Sequence, residues 1–215
     1  MKIFSLSLWL LLLPIFCAGA QNNQKAIELL EKSAQVFKAN TGIEASFLLK
    51  DGMNDPKNLH SFEGVLKSKQ SRFMIDLPEI RTWFDGKTQW SYLKSNREVN
   101  ITSPTEEEIA AVNPVALLRL YQNGYRAVYK GERTIKGEKV AEIELLAERK
   151  DSPLRKIFVR LNMANYLPVS VLIRDKNGNS SEVTFLKIKQ NLNLPDSDFV
   201  FNKKEFPEAE VIDLR

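Results

Sequence analysis

The sequence predicts a mainly β protein with helices, an α+β chain whose about eleven short antiparallel strands form a barrel or a strongly curved sheet. Three observations carry this reading. Short alternating runs recur at near-regular spacing along the chain, and turn-formers such as Asp51-Gly52, Asp85-Gly86 and Asn177-Gly178 separate them. Helical periodicity is confined to a stretch near the N-terminus and to one insert.

The chain begins with Met1-Lys2 and an apolar run from Ile3 to Phe16, too short to span a bilayer comfortably, followed by Ala18-Gly19-Ala20. That pattern reads as a cleaved secretory signal covering residues 1–20, with Gln21 as the first mature residue and the periplasm as the destination. Cys17 follows Phe16 instead of the small residue that lipid attachment requires, so the mature chain is expected to be soluble, monomeric and unacylated. It then holds no cysteine, and packing alone must stabilise it. Residues 21–215 read as a single domain, since no Pro/Ser/Gly-rich linker, composition shift or internal repeat divides them. The net charge of +4 is modest and spread along both halves, which gives no support to nucleic acid as a partner.

From Gln24 to Ala39, Ile27, Leu30, Ala34 and Phe37, joined by Leu29 and Val36, recur at three-to-four spacing, so an amphipathic helix is expected. Asn40-Thr41-Gly42 should end it, with Gly42 in the left-handed conformation. Strands follow at Ile43–Lys50, Phe62–Ser68, Arg72–Leu77, Ile80–Phe84, Lys87–Leu93 and Arg97–Ile101. Asp85-Gly86 suits a type I′ hairpin, which needs positive φ. Beyond that turn Thr88, Trp90 and Tyr92 share one face of the strand, so large rings line one side of the sheet. A Pro-broken insert comes next: acidic residues Glu106-Glu107-Glu108 and then apolar ones, divided by Pro114, describe two short helices, the second nearly all apolar from Val115 to Tyr121. The second half returns to strands at Tyr125–Glu132, Glu138–Ala147, Lys156–Asn162, Pro168–Asp175 and Ser181–Leu192. Helices against a curved sheet with a ring-lined face form a container, whose contents are either the protein's own core or a ligand.

Catalytic readings are weak. The sole histidine, His60, sits in a polar stretch beside Asn58 and Ser61 with no neighbouring carboxylate in the sequence, and reads as a solvated loop residue. One histidine and no mature cysteine leave no zinc site of the usual kind, and no cofactor is implied. Glu106-Glu107-Glu108 is better explained as support for a helix N-terminus than as an acid/base or metal cluster. Gly131 and Gly137 flank a hairpin and open no phosphate-binding helix.

The chain resembles the periplasmic outer-membrane lipoprotein carrier (LolA-like) family. The resemblance runs from the first helix to the C-terminus, on Ala45-Ser46-Phe47, Gly64-x-Leu66, Asp85-Gly86-Lys87-Thr88-x-Trp90-x-Tyr92, the Pro-broken insert, Phe199-x-Phe201 and Val211-x-Asp213. It implies an open half-barrel under a helical lid, no enzymatic activity, and a cavity that holds the acyl chains of lipoproteins between inner and outer membrane. The partners implied are acylated lipoproteins, an inner-membrane ABC-type releasing complex and an outer-membrane acceptor. Family members often carry an Arg-Pro pair after the Gly-x-Leu element as a lid latch; here the region reads Lys69-Gln70-Ser71-Arg72, leaving Arg72 or Lys69 as the candidate latch. Expected cavity-lining residues are Phe47, Leu49, Leu66, Phe73, Ile75, Trp83, Trp90 and Tyr92, with Val112, Leu117, Leu118 and Leu120 on the lid. Each also reads as an ordinary core residue, and strand register decides between the two. A sensor or regulatory binding module on the same fold is the alternative; an acyl hydrolase lacks a nucleophile and base.

Overall fold

Alternating residues along twelve runs produce one continuous sheet in the computed structural model, which describes residues 18–55, 57–113 and 115–215. The expected signal run through Cys17, and Pro56 and Pro114, lie outside the described residues. The first half supplies β1 (Ile43–Asp51), β2 (His60–Lys69), β3 (Arg72–Asp76), β4 (Ile80–Phe84), β5 (Gln89–Leu93) and β6 (Glu98–Thr102). The second supplies β7 (Tyr125–Ile135), β8 (Glu138–Ala147), β9 (Leu154–Asn162), β10 (Pro168–Asp175) and β11 (Ser180–Lys189), and a short β12 (Glu210–Asp213) ends the chain. The order is β12-β6-β5-β4-β3-β2-β1-β11-β10-β9-β8-β7, two meanders joined where β1 pairs β11. The sheet is not closed: β12 and β7 are its free edges. All eleven expected strands are present, and β12, which pairs parallel with β6, is the addition.

Register gives the sheet two distinct faces. Leu49, Val183, Val171, Val159 and Ile143 stand opposite one another across five strands, and this row belongs to the inner face. Helix α1 (Ala18–Ala39) lays Ala26, Leu29, Leu30 and Phe37 on that face, where they join Ile143, Leu145, Ile157, Val159 and Leu161 in the largest core. The described part of the helix runs from Ala18, upstream of the expected Gln24, so the small residues of the expected signal site are helical.

Its end differs from expectation as well. Gly42 does not take a left-handed conformation; Asn40 ends the helix, its side-chain amide donating to the Val36 carbonyl (2.9 Å) and its Oδ1 accepting from the Asn191 amide (2.7 Å). Gly42 serves close approach instead, because a Cβ there would lie 2.3 Å from the Leu192 carbonyl oxygen. The Asp85-Gly86 turn is likewise not type I′, since only Gly86 has positive φ. Asp85 Oδ1 accepts from the Lys87 (2.9 Å) and Thr88 (2.8 Å) amides, so the Asp85 side chain caps the reversal of the strand. Positive φ at both central residues occurs at Lys136-Gly137, between β7 and β8.

The outer face of the first half is covered by the C-terminal segment. Phe201 and Phe206 pack on Trp83 at ring-centroid distances of 5.7 and 5.5 Å, and Phe206 lies 4.9 Å from Tyr92. Lys67 pairs with Asp198 (2.8 Å), and Lys69 (2.9 Å) and Arg72 (2.6 Å) both pair with Asp196. Beyond the aromatic cluster the segment runs into β12 along the β6 edge.

Candidate functional site

On the inner face of the first half, Ala45, Phe47, Leu66, Phe73, Ile75 and Phe84 pack together with Val183 of β11, and this cluster forms the floor of a cavity. A glycine makes the floor possible. Gly64 stands opposite Phe47 across the β1–β2 ladder, and a Cβ at 64 would lie 2.4 Å from Phe47 Cζ. The phenyl ring therefore lies over the bare backbone of β2, which gives the Gly64-x-Leu66 element a physical reason.

The cavity has a volume of about 740 Å³, within the roughly 300–1,000 Å³ range of small-molecule sites. Phe47, Leu49, Ile75, Leu77 and Ile80 form one wall and Leu154, Ile173 and Val183 the other, with Ala110 and Val112 above. Those last two belong to α2 (Glu106–Val112), which is closed at its start by a reciprocal cap. Glu108 Oε2 accepts from the Thr105 amide (2.7 Å), and Thr105 Oγ1 accepts from the Glu108 amide (3.3 Å). The Thr105 backbone bond, helped by its hydroxyl, holds the Glu108 carboxyl below its ordinary range. Acidic residues at 106–108 thus support a helix start.

The expected lining residues divide three ways. Phe47, Leu49, Ile75 and Val112 border the cavity. Leu66 and Phe73 lie on the same face but beneath it, fully buried in its floor. Trp83, Trp90 and Tyr92 are on the opposite face: Trp83 pairs with Met74 and Trp90, whereas Ile75 pairs with Thr82. Their rings bury against Phe201, Phe206, Val99 and Ala209, so the ring-lined face is the outer one and its contents are the protein's own C-terminal segment.

Two further expectations are corrected in the same way. Leu117, Leu118 and Leu120 lie on a 3-10 helix, Ala116–Gln122, and are buried in the main core with α1 instead of facing the cavity. The apolar second helix of the insert is thus part of the foundation, and among the described residues of the insert those that cover the cavity, Ala110 and Val112, belong to α2. Arg72 and Lys69 are on the outer face, bound to Asp196 of the C-terminal segment, and reach no part of the lid. They hold the C-terminal segment.

The mouth of the cavity is polar. The β1–β2 and β10–β11 hairpins meet there: the Met53 amide donates to the Ser180 carbonyl (3.0 Å), the Asn54 side-chain amide to the Gly178 carbonyl, and Ser181 Oγ to Asp51 Oδ1 (2.6 Å). His60 opens β2 opposite Asp51 in register, so a carboxylate absent from its sequence neighbourhood is supplied across the ladder. Its ring stacks on Phe62 at 6.0 Å. Ser181 donates straight to Asp51 with no imidazole between them, which is not the relay that nucleophilic catalysis uses. The mouth residues Asp51, Asn58, His60, Asp175, Asn179 and Ser181 were missed in the sequence, because two hairpin tips far apart along the chain build the feature together.

A family model described as outer membrane lipoprotein carrier protein LolA matches residues 16–177. An uncharacterized protein from Methanocaldococcus jannaschii is 23% identical over 202 residues, 93% of this chain and 58% of the relative, so the chain spans less than two thirds of that relative's length. Among solved structures, an uncharacterized conserved protein from Thermus thermophilus superposes with a TM-score of 0.62 at 12% identity, over 88% of this chain and 99% of that one. A putative outer membrane lipoprotein-sorting protein domain from Vibrio parahaemolyticus superposes with a TM-score of 0.51 at 14% identity, over 86% and 99% of the two chains. At these identities the structural likeness is one of fold.

Proposed function

The chain belongs to the outer membrane lipoprotein carrier protein LolA family, and from that premise we propose that it is an exported carrier that binds the acyl chains of lipoproteins in the cavity between sheet and α2. The observation that carries this reading is an apolar cavity of about 740 Å³ whose roof is a seven-residue helix. Burial of hydrocarbon is worth about 0.8 kcal/mol per CH₂, so one long acyl chain holds a lipoprotein in its membrane by roughly 10 kcal/mol and does not cross an aqueous compartment unaided. A carrier must offer comparable apolar surface and still release its load. Phe47, Leu49, Ile75 and Val112 supply the surface, and a roof too short to be stable alone supplies the release.

In this reading residues 1–20 are removed on export, the mature chain starts at Gln21 as one soluble domain, and a membrane complex of ABC type loads it while an acceptor at the outer membrane unloads it. The role is binding and transfer, without chemistry on the cargo.

Titration of the mature protein with a fluorescent triacylated lipopeptide tests the proposal. Saturable binding is expected, with at least a tenfold loss in Val112→Asp, whose side chain is exposed enough (42%) to accept the charge without unfolding the chain. Trp90→Phe, on the outer face, should leave affinity unchanged. A folded Val112→Asp protein that binds as well as wild type, or a loss confined to Trp90→Phe, would remove the inner cavity as the acyl site.

A further inference from the structure

The cavity's mouth carries a charge pattern that its apolar interior does not explain. Among the described lining residues none is Lys or Arg, while two, Asp51 and Asp175, are carboxylates. Both border the cavity: Leu49 and Ile173 line it two residues earlier, and neither Lys50 nor Arg174 is among its described lining residues. Each carboxylate is fixed. Asp51 Oδ1 accepts from Ser181 Oγ at 2.6 Å, and Asp175 Oδ1 accepts from the Asn177 and Asn179 amides, both at 2.8 Å, with Oδ2 taking the Asn179 side chain at 2.9 Å. Burial pushes the Asp175 carboxyl upward, but the Asn179 side chain and the backbone donors of the turn outweigh it, and the net shift is downward. The group stays ionised at neutral pH.

An amphiphile whose chain enters this cavity leaves its head at the mouth, between these two carboxylates. A negative head there meets like charge from both carboxylates, with no Lys or Arg among the described lining residues and His60 standing opposite Asp51, whereas the uncharged ester and amide linkages of an acylated protein meet Asn58 and Asn179, whose side-chain amides each keep a second N–H to donate. A periplasmic carrier works beside membranes in which anionic phospholipid is a constant competitor for any acyl-binding cavity. Resting on the reading that the cavity takes acyl chains, we infer that Asp51 and Asp175 select the cargo by head charge, admitting chains on uncharged linkages and turning away those carried by an anionic head, whether fatty acid or phospholipid.

Two probes with one sixteen-carbon chain and different heads separate the ideas: monopalmitoylglycerol, which is neutral, and hexadecyl sulfate, which is anionic at every accessible pH. Both are titrated below their critical micelle concentrations into wild type and into Asp51→Asn/Asp175→Asn, substitutions that keep an acceptor oxygen for Ser181 and for the turn amides. Equal melting temperatures of the two proteins check that the hairpins persist. Wild type should bind the neutral probe at least tenfold more tightly than the sulfate. The double variant should narrow that ratio to about threefold or less by gaining affinity for the sulfate, with the neutral probe unchanged. A sulfate bound as well as the neutral probe by wild type, or a ratio that the double variant leaves unmoved, would overturn charge selection while leaving the acyl site intact. Failure of the neutral probe to bind either protein would instead overturn the acyl reading and this inference together.

Discussion

Replacing Gly64 by Ala tests the geometry of the cavity floor with a single carbon atom. The added Cβ would sit 2.4 Å from Phe47 Cζ and 2.8 Å from both Phe47 Cε2 and Leu77 Cδ2. Carbon pairs rest at about 3.5–4.0 Å, so the Phe47 ring has to retreat by roughly 1 Å or more. Overpacking of this kind costs about 1–3 kcal/mol, and removing a glycine from a strand returns about 0.5–1 kcal/mol, so a net loss of up to about 2.5 kcal/mol is expected. The ring has one open direction, into the cavity it borders, so affinity for lipopeptide should fall along with stability. Urea denaturation measures the first and fluorescence titration the second. Gly64→Ala combined with Phe47→Leu, which removes the atoms in conflict, should recover both, with a coupling energy of about 1 kcal/mol in the double-mutant cycle. A Gly64→Ala protein at least as stable as wild type, with unchanged affinity, would show that Phe47 does not lie over residue 64 and that the floor is built otherwise.

Three more outcomes follow from the same geometry. Phe206→Ala, which strips the ring packed on Trp83 and Tyr92, should cost about 2–3 kcal/mol in urea denaturation yet leave lipopeptide affinity intact, because it acts on the outer face; lost binding in the folded variant would join the two faces functionally. At Asp76 burial pushes the carboxyl upward, but Arg81 and Lys94 outweigh it and the net shift is below the ordinary 3.8. Its contribution is therefore complete above that value and lost as pH falls through the lower folded one, so Asp76→Asn should flatten the acid limb of the stability curve below about pH 4, and an unchanged limb would refute the pairing. In the empty protein, amides of Glu106–Val112 should exchange with solvent faster than those of Ala116–Gln122; equal protection would show that the insert moves as one piece.

How much of this was legible in the sequence depended on the distance over which each feature is decided. Strand existence is local: alternation such as Ile157, Val159 and Leu161 against Phe158 and Arg160 suffices, and all eleven expected strands formed. The twelfth escaped because Glu210–Asp213 is short, mostly exposed and stabilised by a parallel partner, β6, from the other half of the chain. Face assignment failed for Trp83, Trp90 and Tyr92 for the same reason. Alternation shows that Trp90 and Tyr92 share a side, but which side is inner depends on Phe201 and Phe206, whose segment has no period to announce that it covers a sheet. Lys69 and Arg72 read as a candidate lid latch until Asp196 is brought beside them. Gly64 was visible as an element of the family resemblance, and only the structure supplies the ring that explains it.

The division of the insert decides which part of it can open. Displacing the 3-10 segment would expose Leu117, Leu118 and Leu120, each worth about 1.5–3 kcal/mol when fully buried, for a total of about 5–9 kcal/mol. That approaches the whole stability of an ordinary domain, about 5–15 kcal/mol, so a carrier that opened there would come close to unfolding. Helix α2 is a lighter element: Ala110 is small, Ile109 is only partly buried, and Val112 is already exposed. Lifting it costs on the order of 1–3 kcal/mol of apolar contact, well below the roughly 10 kcal/mol that a long acyl chain contributes when it takes the same space. Its ends are suited to this. The Thr105–Glu108 cap keeps the first turn formed while it moves, and at the other end Asn113 ties the helix to the buried segment, its Oδ1 accepting from the Val115 amide at 3.0 Å. The carrier reading therefore predicts that the roof moves as a short lever on a fixed base, with cargo trading places with one face of α2 while the core beneath α1 stays packed.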